Sequence, residues 1–338
     1  MSIVRIGIDL SKSTLHVHAV DNEERVVVQR MMSRAQLRHF LAMTPQCEVA
    51  TESCGSAFHW ARYAKQCGHL TKIIASQFVK PYVKSNKNDF NDAAAICEAA
   101  SRPSMRFVPT KSIEQQDIQA LHRVRTRRVA ERTALGNQIR GLLLEYGVPI
   151  GLSLVTLRQR LPVVLEDEQN ELTPRSRALF RELYAELLDL EGKIAYVERK
   201  INQIFKASEQ CQRLAQIQGV GPLTSTALVA AVGDARVFKN GRHMAAWLGL
   251  VPRQQSTGGK ARLLGISKRG DRYLRTLLIH GARSALRVMG RKSDRRSLWA
   301  IDVERRRGAN IATVALANKT ARIAWAMLAH DEDYRAAV

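Results

Sequence analysis

Residues 3–30, IVRIGIDLSKSTLHVHAVDNEERVVVQR, decide the fold. Residues 3–10 and 14–20 are dominated by β-branched and other apolar side chains and read as strands. Asp21-Asn-Glu-Glu24 reads as the turn into a third strand, Arg25 to Arg30, so the chain opens with a three-stranded meander. Working outward, Ser33 and Gln36 form a capping box for a helix to about Leu41. Residues 47–52 (CEVATE) follow as a strand, 57–67 as a helix closed by Gly68, and 70–75 (LTKIIA) as another strand. Three antiparallel strands followed by alternating strands and helices is the order of an RNase H-like α/β domain.

Two of these strands end on an acid: Asp9 closes I-G-I-D and Glu52 closes V-A-T-E. A charged residue ending an apolar central strand is costly to bury unless it meets a cation. Downstream, KNDFNDAAAI at 87–96 places Asp89 and Asp92 three residues apart at the start of an alanine-rich helix. Taken alone they are helix-start caps. Positions i and i+3 share a face, however, and like charges so close need a cation. The ordered set Asp9, Glu52, Asp89, Asp92 offers hard oxygen ligands suited to Mg²⁺, and ions about 4 Å apart can clamp both oxygens of a phosphoryl transfer.

The 338 residues are 45% hydrophobic and carry 53 Lys+Arg against 31 Asp+Glu, a net charge of +22. That excess points to a polyanionic partner. Residues 206–338 hold 24 of the basic and 9 of the acidic side chains, so the last third is the main expected footprint for nucleic acid. No apolar run approaches the roughly 20 residues of a membrane span, and MSIVRIGIDL lacks the features of a signal peptide. The expectation is a protein of the cytoplasm, or of wherever the genome is, with no membrane partner. Cys47, Cys54, Cys67, Cys97 and Cys211 show no C-x-x-C pair and read as reduced packing thiols. There is no G-x-S-x-G elbow, H-E-x-x-H or G-x-x-x-x-G-K-[ST] loop. His16 and His18 share one strand face and read as packing or surface residues.

Residues 113–146 read as one long helix in which Leu121, Val124, Arg128, Leu135, Ile139 and Leu142 lie near one another, so that its arginines, Arg123, Arg125 and Arg127 among them, fall mainly on the solvent side. From Ser176 to Phe205, leucine, isoleucine and valine recur at steps of three and four, a coiled-coil-like seam for packing or self-association. Gly219 and Gly221, in Ile217-Gln-Gly-Val-Gly-Pro-Leu223, form a turn like that of a helix-hairpin-helix, whose backbone N–H groups can cradle a phosphate. A Gly/Ser/Thr-rich loop is expected at 253–265, then a helix from Asp271 to Met289. The domain reading is a nuclease-like domain over 1–150 that includes the Arg-rich helix, a coiled-coil segment over 151–205, and a mainly helical C-terminal domain over 206–330.

The chain resembles the DEDD transposases of the insertion-sequence one-ten family, closer to its eleven-eleven subgroup, relatives of the Piv invertase described as bridge-RNA-guided recombinases. The resemblance spans nearly the whole length. It is carried by I-G-I-D-L-S-K-S at 6–13, T-E-S-C-G-S at 51–56, K-N-D-F-N-D-A at 87–93, Q-G-V-G-P at 218–222, and G-L-V-P-R-Q-Q-S-T-G-G-K through G-I-S-K-R-G-D-R-Y-L-R at 249–275. It implies a RuvC-like domain, a coiled coil, and a C-terminal transposase domain holding a nucleophilic serine. Two hydroxyls fall in the corresponding window. Ungapped counting from Pro252 points to Thr257, and a one-residue shift points to Ser256, the less hindered primary hydroxyl. Around them Lys260, Arg262, Lys268, Arg269, Arg272 and Arg275 are expected on phosphates.

The resulting expectation is a site-specific recombinase that cuts and rejoins donor and target double-stranded DNA through a phosphoserine link. By resemblance, a noncoding guide RNA encoded by the element selects the sites. The apolar seam and the sequence distance between acids and hydroxyl suggest a homo-oligomer, dimer or tetramer, in which the carboxylates of one protomer serve the serine of another. The alternatives are a RuvC-type metal-dependent, structure-specific endonuclease that uses water and forms no covalent link, and a non-enzymatic nucleic-acid binder.

Overall fold

The meander forms as its sequence indicates. In the computed structural model, which describes residues 2–84 and 88–335, β1 (Arg5–Leu10), β2 (Thr14–Val20) and β3 (Val26–Ser33) are antiparallel neighbours. Helix α1 (Arg34–Met43) starts at the expected capping box: Gln36 N donates to the Ser33 hydroxyl, and the Gln36 side chain accepts from Ser33 N. Strand β4 (Glu48–Glu52) lies parallel to β1, and after α2 (Ala57–Gln66) strand β5 (Leu70–Ile74) lies parallel to β4. Then come α3 (Ser76–Val79), α4 (Asp89–Ala100) and β6 (Phe107–Val108), a two-residue strand antiparallel to β5 that the sequence did not announce. The strand order β3-β2-β1-β4-β5-β6 is compatible with an RNase H-like domain.

The period-two alternation of β1 divides the sheet faces. Ile6 and Ile8 lie with Leu15, Val17 and Ala19 on one face, in a core completed by Leu37 and Leu41 of α1 and Trp60 and Ala64 of α2. Gly7 and Asp9 are on the other face, beside His18 and His16 in the β1–β2 register. That second face is covered by α4, whose Ala95, Ile96 and Ala99 pack with Ala50 and Ile74 of the strands.

Packing divides the chain into residues 1–113 and 114–338. Helix α5 (Ile113–Leu144), grouped with the first domain on sequence, shares its core with α6 (Leu154–Glu166) and α7 (Pro174–Ala207). His122 of α5 is buried between the Tyr273 hydroxyl at 2.9 Å and the Thr226 hydroxyl at 3.0 Å. Burial, with Arg125 adding to it, pushes its pKa down to about 4, so this link is neutral. The buried face of α5 is His122, Leu135, Ile139 and Leu143; Val124 and Leu142, expected inside, are each more than a third exposed. Over a 32-residue helix the face in contact changes as different helices cover it, and a single stripe cannot describe that.

The seam expected for packing or self-association is covered within the chain over much of its length, with Leu179 left 47% exposed. Leu187, Leu190, Ile194, Val197 and Ile201 of α7 are buried, and Leu187 and Leu190 pack with Leu157, Leu161 and Leu165 of α6. The segment 151–205 read as coiled coil contains α6 as a separate helix, with Pro162 inside it. The rest of the unit comprises α8 (Glu209–Leu214), α9 (Pro222–Val232), α10 (Gly241–Trp247), the largely exposed strands β7 (Pro252–Thr257) and β8 (Lys260–Ile266), α11 (Arg272–Met289), α12 (Arg295–Arg307) and α13 (Ala309–His330), the helices gathered around Leu228, Met244, Leu278 and Leu316. Among the described residues no helix is long and apolar enough to cross a membrane.

Leu187 is fully buried. Its replacement by alanine should destabilise the protein by about 2–5 kcal/mol, the usual cost of a buried leucine truncation. Thermal melting checks the cost and light scattering checks the mass. A smaller assembly at unchanged stability would instead assign the seam to oligomerisation.

Candidate metal centre and serine hairpin

The acidic site is built by one close approach. A Cβ placed on Gly7 would lie 2.3 Å from Ala93 O and 2.6 Å from Cys97 N, so only glycine lets the backbone of α4 rest on β1 at this level. The N-terminal turn of α4 then arrives over the end of β1, where Asp9, two residues on, shares the face of Gly7. Asn88 caps this turn by accepting from Phe90 N at 3.0 Å, which places Asp89 and Asp92 in the first turn. Lys87, the first residue of the quoted motif, lies outside the described residues. The result is convergence: one carboxylate oxygen from each of Asp9, Asp89 and Asp92 lies within 4.8 Å of the others.

Asp9 is held above its ordinary pKa of 3.8 by burial first, then by the charges of Asp92, Asp89 and Glu52, with His16 opposing them. Glu52 closes β4 one step past the Ile8–Thr51 pairing and contributes to the field at Asp9, but it does not join the three converging aspartates. Three half-buried or exposed carboxylates this close, mutually repelling and made of hard oxygen donors, fit a divalent cation of the Mg²⁺ or Mn²⁺ type. Among the described residues this is the one cluster with metal-ligand geometry. The Cys54 thiol nearby is pushed up to about 11 by burial, Glu52 and Asp9, so it stays protonated and supplies no thiolate.

His16 was assigned to packing or surface on sequence, and its position is more specific. It faces Asp9 across the β1–β2 pair, is 7% exposed, and stands edge-on to Phe90 with ring centroids 4.7 Å apart. Its Nδ1 lies 3.7 Å from Asp89 Oδ2 and has no hydrogen-bond partner. The signal available in the sequence was parity: His16 falls on the strand face of Asp9 once the hairpin register is set.

Ser256 and Thr257 lie on a β-hairpin, where a loop had been expected. Gly258 and Gly259 have φ of +56° and +77°, which makes T-G-G-K a two-residue turn joining β7 to β8. Both hydroxyls are exposed, and Gln254 Nε2 donates to Ser256 Oγ at 2.7 Å. At the base of the hairpin Arg275 is buried and donates to Leu248 O and Arg269 O, both at 3.0 Å. Asp271 caps α11 through Tyr273 N and Leu274 N. Arg275, expected on a phosphate, is thus engaged in holding the hairpin's footing, whereas Lys260, Arg262, Lys268, Arg269 and Arg272 are exposed around it.

The other expected phosphate contacts also separate. Arg123 and Arg127 are exposed on α5, but Arg125 grips Glu198 through Nε and Nη2 at 2.8 and 2.7 Å, and Arg128 donates to Lys193 O at 2.8 Å. In the α8–α9 turn Gly219 packs backbone to backbone on Gly281 of α11, while Gly221 caps α9 with open space beside it.

Residues 6–148 match a DEDD family model of the IS110 type, described as a transposase, and residues 211–297 match the model described as the transposase IS116/IS110/IS902 family. The "Probable family 20 transposase" of Pseudomonas aeruginosa is 52% identical over 341 residues, covering 99% of each chain. The transposase for insertion sequence element IS1111A of Coxiella burnetii is 48% identical over 98% of this chain and 91% of its own. The transposase for insertion sequence element IS1328 of Yersinia enterocolitica is 43% identical over 96% of each.

With no cation bound, the raised pKa of Asp9 makes its ionised form a cost to the fold above that pKa, and the cost disappears as pH falls through it towards 3.8. Asp9→Asn should therefore melt higher than wild type in chelator at pH 7, and the difference should vanish near pH 3. Added Mg²⁺ should raise the melting temperature of wild type only. Equal melting of both proteins in chelator at pH 7 would contradict the repulsion.

Proposed function

The chain belongs to the insertion-sequence transposases of the IS110/IS1111 family, enzymes that cut and rejoin DNA, and on that premise we propose that it is an RNA-guided recombinase working through a phosphoserine link. The family typically uses a divalent metal. The observation that carries the reading is the convergence of Asp9, Asp89 and Asp92, with Glu52 adding to the same field.

Asp9, Asp89 and Asp92 would hold Mg²⁺, which supplies charge neutralisation for the phosphate under attack. Ser256 is the proposed nucleophile. Gln254 donates to its oxygen, which fixes the side chain and leaves the hydroxyl proton free to be removed. The Ser256 oxygen forms a bond to phosphorus as the deoxyribose oxygen leaves with a proton, so one phosphodiester replaces another. Rejoining reverses the exchange: a hydroxyl at a DNA end attacks the phosphoserine and Ser256 recovers its proton. The carboxylate set is the proposed acceptor of the serine proton. A homo-oligomer in which the acids of one protomer serve the serine of another belongs to this proposal, as does guidance by a noncoding RNA of the element. The exposed cations around the hairpin support a backbone-gripping role that is indifferent to sequence.

Incubation with Mg²⁺, guide RNA and labelled donor DNA, followed by denaturation, should leave DNA covalently attached to wild type. The adduct should be lost from Ser256→Ala, kept by Thr257→Val, and reduced at least a hundredfold by Asp92→Asn. Cleavage by Ser256→Ala with no adduct on any hydroxyl would point to the hydrolytic endonuclease instead, and an adduct lost only from Thr257→Val would move the nucleophile by one residue.

A further inference from the structure

The cations of the last third do not all surround the hairpin. On α13, Lys319, Arg322, Ile323 and Ala326 recur at helical spacing and share one face. This face lines two adjoining clefts. One is shared with Arg295 and Arg296 of α12, the other with Arg242 at the start of α10.

With 24 basic side chains against 9 acidic ones over residues 206–338, only a minority of the cations there can each have a carboxylate of its own. Arg213, Arg236, Arg305 and Arg306 each meet a carboxylate. Among the described residues no carboxylate forms an ion pair with Arg242, Arg295, Lys319 or Arg322. Of the two acids at the rim of the first cleft, Asp333 turns to Arg213 and Gln216, which leaves Glu332. Lys319 Nζ lies 4.4 Å over the Trp299 ring, and burial followed by the charges of Arg296, Arg295 and Arg322 lowers its pKa. Arg296 is 6% exposed; it donates to Thr320 Oγ1 at 2.7 Å and Gln218 O at 3.3 Å, and its Nε has no partner. A solvated charge run on a helix normally interleaves opposite signs that pair along it. Here like charges from three helices line clefts floored by Ile323 and Ala326, and at Lys319 burial and the charges of Arg296, Arg295 and Arg322 outweigh the opposing charge of Asp294.

We propose that this face of α13 is a second phosphodiester-binding surface, separate from the β7–β8 hairpin, on which Arg242, Arg295, Lys319 and Arg322 grip a nucleic-acid backbone. The inference rests on the reading above that the chain acts on nucleic acid. It concerns shape and charge only, so the backbone held there could belong to DNA or to RNA.

Each lost phosphate contact lowers the slope of log affinity against log salt by about 0.9 for duplex DNA and about 0.7 for single strands. Fluorescence anisotropy of the full chain with a random-sequence duplex DNA, and separately with a structured RNA, reads that slope. Arg242→Gln/Arg322→Gln replaces two exposed side chains and should lower it by about 2 with duplex DNA or somewhat less with RNA, at unchanged melting temperature. Adding Lys319→Gln should lower it further. Arg305→Gln/Arg306→Gln, whose cations are already paired with Asp302, should leave it as in wild type. A loss confined to one probe assigns the surface to that nucleic acid, and a loss with both supports a general backbone grip. An unchanged slope with both probes in the folded double variant overturns the inference. Wild type binding neither probe would instead overturn the functional reading on which it rests.

Discussion

The acidic site depends on the contact between Gly7 of β1 and the backbone of α4. Helix and strand approach so closely that a single methyl group at residue 7 would fall inside the van der Waals envelope of Ala93 O and Cys97 N. Because Gly7 and Asp9 share a face, the same contact that fixes the height of α4 also fixes the distance between Asp9 and the aspartates of its first turn. Phe90 and His16 fill the adjoining space, so the turn is held from the side as well as from below. The site is costly without a cation, since burial and like charge act together on Asp9. Packing of the sheet face must supply the energy that keeps the acids together.

The second unit carries Ser256, the proposed nucleophile, on a β-hairpin. A two-residue glycine turn sets the register of β7 and β8, and the buried Arg275 ties the carbonyls at their base. Ser256 thus stands exposed on a short strand pair anchored in a helical core. Part of the positive charge of this unit lies in the cations around the hairpin and part in those lining the α13 face, and both are suited to a sequence-indifferent grip on phosphates.

Much of this was legible in the sequence, and the exceptions have physical causes. The meander and the Ser33 capping box could be read because each rests on local rules, period-two alternation and side-chain capping; of the four acids singled out by charge at a strand end or helix start, Asp9, Asp89 and Asp92 converge and Glu52 stands outside them. Strand β6 has two residues, too few to show a period. Helix α6 was not distinguished within the segment read as coiled coil, and the hairpin was hidden by reading Gly258-Gly259 as generic loop rather than as a turn requiring positive φ twice in succession. The α7 seam was correctly apolar, but periodicity does not say which helix covers a stripe, and here α6 does so for Leu187 and Leu190. Arg125, Arg128 and Arg275 illustrate the same limit for charge: composition counts them with the phosphate-binding cations, while their hydrogen bonds hold the protein's own carbonyls and carboxylates.

Whether the Gly7 contact assembles a cation site is read by calorimetric titration of Mn²⁺ into wild type and Gly7→Ala, with circular dichroism to confirm that the sheet persists. The account predicts saturable binding by wild type that is lost or weakened at least tenfold in a folded Gly7→Ala, because α4 must lift from β1 and carry Asp89 and Asp92 away from Asp9. Equal Mn²⁺ affinity in the two folded proteins would contradict it.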